Sequence, residues 1–129
     1  MEMTTSNTKG RVLVVDDEAF FRELLRGILA KAGFTVVAEA ADGQDAVEKF
    51  RSLRPDVILM DIFMAEKNGI DATRDILALD PRANVVICSG TGYEDDVAFA
   101  LQLGAKGVVY KPFLPNEVIA EVVRVLPGR

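Results

Sequence analysis

The sequence contains no histidine and no tryptophan, and one cysteine in 129 residues. Without histidine there is no Ser-His or Cys-His relay and no histidine-ligated metal. The lone Cys88 excludes an internal disulfide and suits a reducing compartment. Seven phenylalanines and two tyrosines are too few for a base-stacking platform. Positive charge is also short: 15 Lys and Arg against 20 Asp and Glu leave a net charge of −5. Such a chain repels phosphate backbones, so direct nucleic-acid binding is not expected. No apolar run reaches the length of a membrane span. The opening residues MEMTTSNTKG carry no apolar core, so they do not read as a signal peptide. A cytoplasmic protein without membrane insertion is the expectation.

What is present is alternation. Half the residues are apolar and 27% are charged, in a chain long enough for one well-buried domain. Arg11–Val15 carries Val12-Leu13-Val14-Val15, a continuous apolar run of the kind found in parallel strands covered on both faces. Phe21, Leu24, Leu25, Ile28 and Ala32 then recur at helical spacing, and Lys31 and Gly33 signal the stop. Gly27 in mid-helix costs about 1 kcal/mol against Ala, for which close packing is the one reason offered. Strands are predicted again over Phe34–Ala38, Val57–Met60, Asn84–Cys88 and Gly107–Tyr110. Helices are predicted over Gln44–Leu53, Ile70–Leu79 and Glu94–Leu103, with a last one opened by Pro115-Asn116. Strand and helix thus alternate five times, which implies an α/β domain with a parallel sheet, helices on both faces and right-handed crossovers.

Open α/β sheets bind ligands outside the carboxyl ends of their strands. At those ends stand Asp16 and Asp17, then Asp61, Ser89 and Lys111; Glu39, near the end of the second strand, receives no role. Two carboxylates ~4 Å apart at an effective dielectric of ~20 repel by about 4 kcal/mol. Three such pairs would rival a net fold stability of ~5–15 kcal/mol. A cation, protonation or Lys111 must relieve them. Mg²⁺ fits best, because it takes oxygen ligands, keeps waters and binds phosphate oxygens. A carboxylate can attack phosphorus to give an aspartyl phosphate, and phosphoryl transfer needs positioning and charge neutralisation above all. Asp61 is the expected nucleophile, because it stands alone after the central strand while Asp16 and Asp17 form a pair suited to metal. Lys111 adds a point positive charge and Ser89 a hydrogen-bond donor.

Val14-Val15-Asp16-Asp17-Glu18, Met60-Asp61-Ile62, Asn68-Gly69-Ile70-Asp71, Ser89, Gly104-Ala105 and Lys111-Pro112-Phe113 together resemble the receiver domain of two-component response regulators. The resemblance is closest to single-domain, CheY-like members. It covers a receiver unit over residues 10–127, with residues 1–9 as a disordered N-terminal tail. It implies the flavodoxin-like (CheY-like) (βα)5 fold, a doubly wound five-stranded parallel sheet of order 2-1-3-4-5. It implies that Asp61 accepts a phosphoryl group from a histidine kinase, a histidine phosphotransfer protein or acetyl phosphate. Mg²⁺ would be bound directly by Asp17, through water by Asp16, and by Asp61 and the backbone carbonyl of Phe63. Lys111 would pair with Asp61 and then with the phosphoryl group, Ser89 would be the switch hydroxyl, and Lys111-Pro112 would be a cis peptide. Such a protein is no enzyme toward other substrates and catalyses only its own phosphorylation and dephosphorylation. Its output would be a protein target, met as a monomer or weak dimer through the face of the fourth helix, fifth strand and fifth helix.

Four positions depart from the family pattern. Ala65 replaces a frequent proline, which frees the phosphorylation loop, and Lys67 replaces a Met or Leu. Phe63 places a bulky ring beside the site, where it is expected to slow the approach of water. Val108 occupies the aromatic switch position and cannot make a large rotamer swing. Tyr110, on the same strand face, is one substitute; the loop Ser89–Tyr93, freed by Gly90 and Gly92, is another. Three other readings stay open. One is a phosphate-independent receiver scaffold. Another is a haloacid-dehalogenase-like Mg²⁺-dependent phosphatase, which would need a second Asp where Phe63 stands. The last is an FMN binder, which would need a Ser/Thr/Gly phosphate loop where Asp16-Asp17-Glu18 stands. The Phe20-Phe21 pair reads as core or interface packing, and Cys88 as buried and inert.

Overall fold

In the computed structural model, which describes residues 8–64 and 67–126, the apolar runs become strands. The strands are β1 (Arg11–Val15), β2 (Thr35–Ala40), β3 (Val57–Asp61), β4 (Val85–Ser89) and β5 (Gly107–Tyr110). β1, β3 and β4 are buried on both sides and the edge strands β2 and β5 only partly so. The helices between and after them are α1 (Ala19–Lys31), α2 (Gly43–Leu53), α3 (Gly69–Leu79), α4 (Glu94–Leu103) and α5 (Pro115–Val125). All four strand pairings are parallel and the order is β2-β1-β3-β4-β5, as the resemblance implied.

Alternation along each strand divides the core in two. Ile58 and Met60 point into one layer with Ala46, Phe50, Ala72, Ile76 and Val97 of α2, α3 and α4. Val57 and Leu59 point into the other, with Leu25, Leu29, Val118 and Val122 of α1 and α5. Every residue of β3 is buried, so a continuous apolar run is what this strand requires. Helix entries at α2 and α3 are capped by Asp42 and Asn68, whose side chains accept the N–H groups of Asp45 and Asp71. α2 ends on Arg54 in the left-handed region, at φ 46°.

Three expectations need correcting. β2 runs from Thr35 to Ala40 rather than Phe34 to Ala38. It follows β1 to its end, with Val15 opposite Ala40 after a register shift at Val12/Leu13, and Phe34 instead packs into the α1/α5 layer. β4 is displaced by one residue, ending on Ser89, which pairs with Tyr110. Gly27 is not explained by close packing: a Cβ built there meets no atom within 4 Å. Most of the expected tail over 1–9, and Ala65 with its loop argument, lie outside the described residues; Lys9 donates its N–H to the Gly33 carbonyl. Among the described residues no helix is long and apolar enough to cross a membrane.

Candidate functional site

Sheet register assembles the site. Val15 lies opposite Met60, Asp61 opposite Cys88, and Ser89 opposite Tyr110. Asp16 and Lys111, each the residue after its strand, are therefore brought level with Asp61 and Ser89 at one rim. The backbone continues the ladder there: Asp16 N–H donates to Ala40 O, Ile62 N–H to Cys88 O, and Lys111 N–H to Ser89 O.

The Lys111 ammonium is the hub. It lies 3.1 Å from Asp16 Oδ2 and 3.5 Å from Asp61 Oδ1. It also sits 4.1 Å from the centroid of the Phe21 ring. Asp16 and Asp61 are buried, at 1% and 5% exposure, so their charges cannot be left to solvent. Asp16 Oδ1 accepts the Glu18 N–H, while Oδ2 touches Lys111 as an ion pair and has no partner in hydrogen-bond geometry. Burial, and then the Asp16 carboxylate, push the Asp61 pKa from 3.8 up to about 7; Lys111 opposes the rise and Asp17 adds to it. For Lys111 burial acts downward, but Asp61 and Asp16 outweigh it and hold the ammonium above its ordinary range.

Asp17 and Glu18 are exposed and line, with Asp61, Phe63, Ser89 and Lys111, a cavity of about 270 Å³. Carboxylate oxygens of Asp16, Asp17 and Glu18 lie within 4.8 Å of one another, an acidic cluster able to coordinate a divalent metal. Hard oxygen donors of this kind suit a hydrated hard cation. Asp61 falls outside that cluster of three and joins it through the Lys111 ammonium. Glu18 was not among the residues expected to ligate; the unbroken run Asp16-Asp17-Glu18 was the available signal. Asp16 and Asp17 are not simply caps for α1. Glu18 is the N-cap residue, with no side-chain capping bond.

Ser89 is buried beside the cavity, but its hydroxyl donates to the Gly90 carbonyl at 2.8 Å rather than to Asp61. Phe63 is half exposed, and its ring lies 4.3 Å from that of Tyr93. Lys67 pairs with Asp75, and its carbonyl accepts the Gly43 N–H. The Lys111-Pro112 peptide is cis. Val108 is half-buried against the α2/α3/α4 layer, and Tyr110 is exposed. Glu39, which had no expected role, accepts from Arg22 and Arg26, and Arg22 also donates to the Asp16 carbonyl. It thereby ties the edge strand to the start of α1 behind the acidic run.

A parallel (βα)5 sheet with acidic side chains and one lysine gathered at its carboxyl rim defines a class: signalling domains of CheY-like architecture. Residues 12–123 match the family model described as the response regulator receiver domain, and the chain belongs to that family. It is 46% identical over 115 residues to the chemotaxis protein CheY of Thermotoga maritima, covering 89% of this chain and 96% of that one. It is 47% identical over 116 residues to the protein CcdB of Bacillus subtilis, covering 90% and 97%. Among solved structures, the CheX-CheY-BeF3-Mg²⁺ complex from Borrelia burgdorferi contains a chain that superposes with a TM-score of 0.86 at 34% identity, covering 89% of this chain and 87% of that one. The chain is thus a CheY-like receiver domain, and the chemistry of such a domain is confined to its own phosphorylation and dephosphorylation.

Proposed function

We propose that the receiver unit, over residues 10–127, accepts a phosphoryl group on Asp61 and signals through protein contacts. The observation that carries this reading is the meeting of the Asp16 and Asp61 carboxylates on one ammonium, at a cavity open to solvent. A carboxylate so placed can attack phosphorus from within the cavity. An Asp61 oxygen forms the new P–O bond, while the P–N bond of a donor phosphohistidine breaks. The departing imidazole keeps the electron pair and takes a proton from solvent. With acetyl phosphate a P–O bond breaks instead and acetate leaves. Lys111 follows the negative charge from the Asp61 carboxylate to the phosphoryl oxygens. Ser89 turns its hydroxyl from the Gly90 carbonyl to a phosphoryl oxygen.

Mg²⁺ would be held by Asp17, by Asp16 through water, and by Asp61 and the Phe63 carbonyl, and would neutralise the transferring phosphoryl group. The magnesium and beryllofluoride named for the Borrelia burgdorferi complex support this ligand class. The donor is a histidine kinase or histidine phosphotransfer protein. The output surface is the face of α4, β5 and α5, where Leu101 and Tyr110 are exposed, and it meets a protein target or a second copy weakly. Tyr110 is the register partner of Ser89, so movement of Ser89 reaches it through the strand pair.

The test is incubation with acetyl phosphate and Mg²⁺, read by intact mass. One phosphate adduct that is absent in Asp61→Asn supports the reading. An adduct retained in Asp61→Asn moves the acceptor elsewhere, no adduct in either favours a fixed scaffold, and steady turnover of phosphate esters favours a phosphatase.

A further inference from the structure

The ring of Phe21 sits where packing alone does not explain it. Phe21 is the third residue of α1, and its neighbour Phe20 is 69% exposed. Phe21 is only partly buried against the α1/α5 layer, and it lines the same cavity as Asp61 and Lys111. Its face lies 4.1 Å from the Lys111 ammonium, within the range of a cation–π contact. The ring is braced by T-shaped contacts: Phe113 meets it at 5.7 Å and 87°, and Phe20 at 5.3 Å and 72°. Lys111 and Phe113 stand two apart on the same segment. One short stretch of chain therefore supplies both the cation and the ring that steadies its platform.

Lys111 otherwise touches two carboxylates, and one of them changes during the reaction. Asp61 loses its charge when it forms a bond to phosphorus, while new negative charge arrives on the phosphoryl oxygens. A flexible four-carbon stem needs a neighbour that stays constant through that exchange. A braced aromatic face is such a neighbour, since it attracts the cation without competing for a phosphoryl oxygen.

We propose that Phe21 is a positioning residue for phosphoryl transfer, its ring face holding the Lys111 ammonium at the height of the Asp61 carboxylate. The proposal deepens the reading of Asp61 as acceptor and rests on it. Two measurements test it. First, in metal-free protein, the Lys111 ε-methylene protons are assigned by NMR. They are expected upfield through the ring current of Phe21, and back at ordinary shifts in Phe21→Leu. Second, Phe21 is replaced site-specifically by mono-, di- and trifluorophenylalanine, which keep the ring's shape while draining its negative face. The rate of phosphorylation by acetyl phosphate is expected to fall stepwise with each fluorine, by about three- to tenfold across the series, with Phe21→Tyr close to wild type. A flat fluorine series, or methylene shifts unchanged in Phe21→Leu, overturns the proposal and leaves Phe21 as packing. Phosphorylation of Asp61→Asn at the wild-type rate would instead overturn the acceptor reading, and this proposal with it. The metal-free NMR signal would then still report the contact, so the two failures are separable.

Discussion

Replacing Asp61 by asparagine should stabilise the metal-free protein, and the gain should depend on pH. The carboxyl of Asp61 is pushed up to about 7 by burial and by the Asp16 carboxylate, against the opposing pull of Lys111. Between about pH 4 and pH 7 the folded chain keeps a proton that the unfolded chain has released. Stability of the wild type therefore falls as pH rises through that window and levels off above it. A shift from 3.8 to about 7 corresponds to a ceiling of about 4 kcal/mol. The cavity is open to water, and screening lowers the ceiling to about 1–3 kcal/mol. Lys111 at 3.5 Å would by itself favour the charged form by about 5 kcal/mol at an effective dielectric of ~20, so the burial and repulsion it fails to offset are larger still. Asparagine removes the charge and keeps the shape, and it leaves Lys111 paired with Asp16 at 3.1 Å. In EDTA at pH 8, urea unfolding followed by circular dichroism should show Asp61→Asn more stable by about 1–3 kcal/mol, a rise of roughly 3–10 °C in Tm. At about pH 3.5, below that window, the carboxyl is neutral in folded and unfolded wild type alike and the two proteins should coincide. A variant less stable than wild type at pH 8, or a gap equal at both pH values, would refute the reasoning.

Gly27→Ala should stabilise the protein by about 0.5–1 kcal/mol, since a Cβ there meets nothing and α1 gains helix propensity; denaturant midpoints measure it. Gly69→Ala should do the opposite. Its Cβ would clash with the Asp61 carbonyl oxygen, so the loop or the strand end must move, at a cost of about 2–3 kcal/mol and with slower phosphorylation. Phe63→Asn should shorten the life of the acyl phosphate severalfold by opening the face now covered by the Phe63 and Tyr93 rings; an unchanged hydrolysis rate in a decay assay would refute that role.

The element order was legible because apolar runs and helical periodicity each report one physical requirement, burial on two faces or on one. The rim residues were legible for a related reason: when strands end in register, the residues at or just after their ends share an edge. Asp16, Asp61, Ser89 and Lys111 meet on that rule alone. What the rule leaves out depends on side chains crossing between elements. Glu39 could not be placed, because its partners Arg22 and Arg26 lie on a helix earlier in the chain, and nothing local couples them. Phe21 looked like packing because a hydrophobic residue at helical spacing is normally that, and its approach to Lys111 spans ninety positions. The end of β2 was misplaced because Glu39 is a poor strand residue by composition. The edge strand keeps it extended by pairing with β1 and holding its carboxylate to arginines.

The rim combines two features that a fold selected for stability alone would avoid: a carboxyl driven toward neutrality by its neighbours, and a buried carboxylate oxygen without a hydrogen bond. Each is a standing cost, and both are lowered by the same events. A cation drawn to the acidic run would give Asp16 Oδ2 a further partner and offset the repulsion on Asp61. Phosphorylation of Asp61, as we propose, would form an acyl phosphate, remove the carboxylate's charge and give Lys111 a new counterion. On that reading the repulsion left in the resting site would favour the phosphorylated state, and Lys111 is the group that would meet both states. A rim made comfortable at rest, by replacing Asp16 or Asp61 with a neutral residue, gains stability and loses that driving force. Stability of the metal-free protein and readiness to be phosphorylated should accordingly move in opposite directions across substitutions at these two positions.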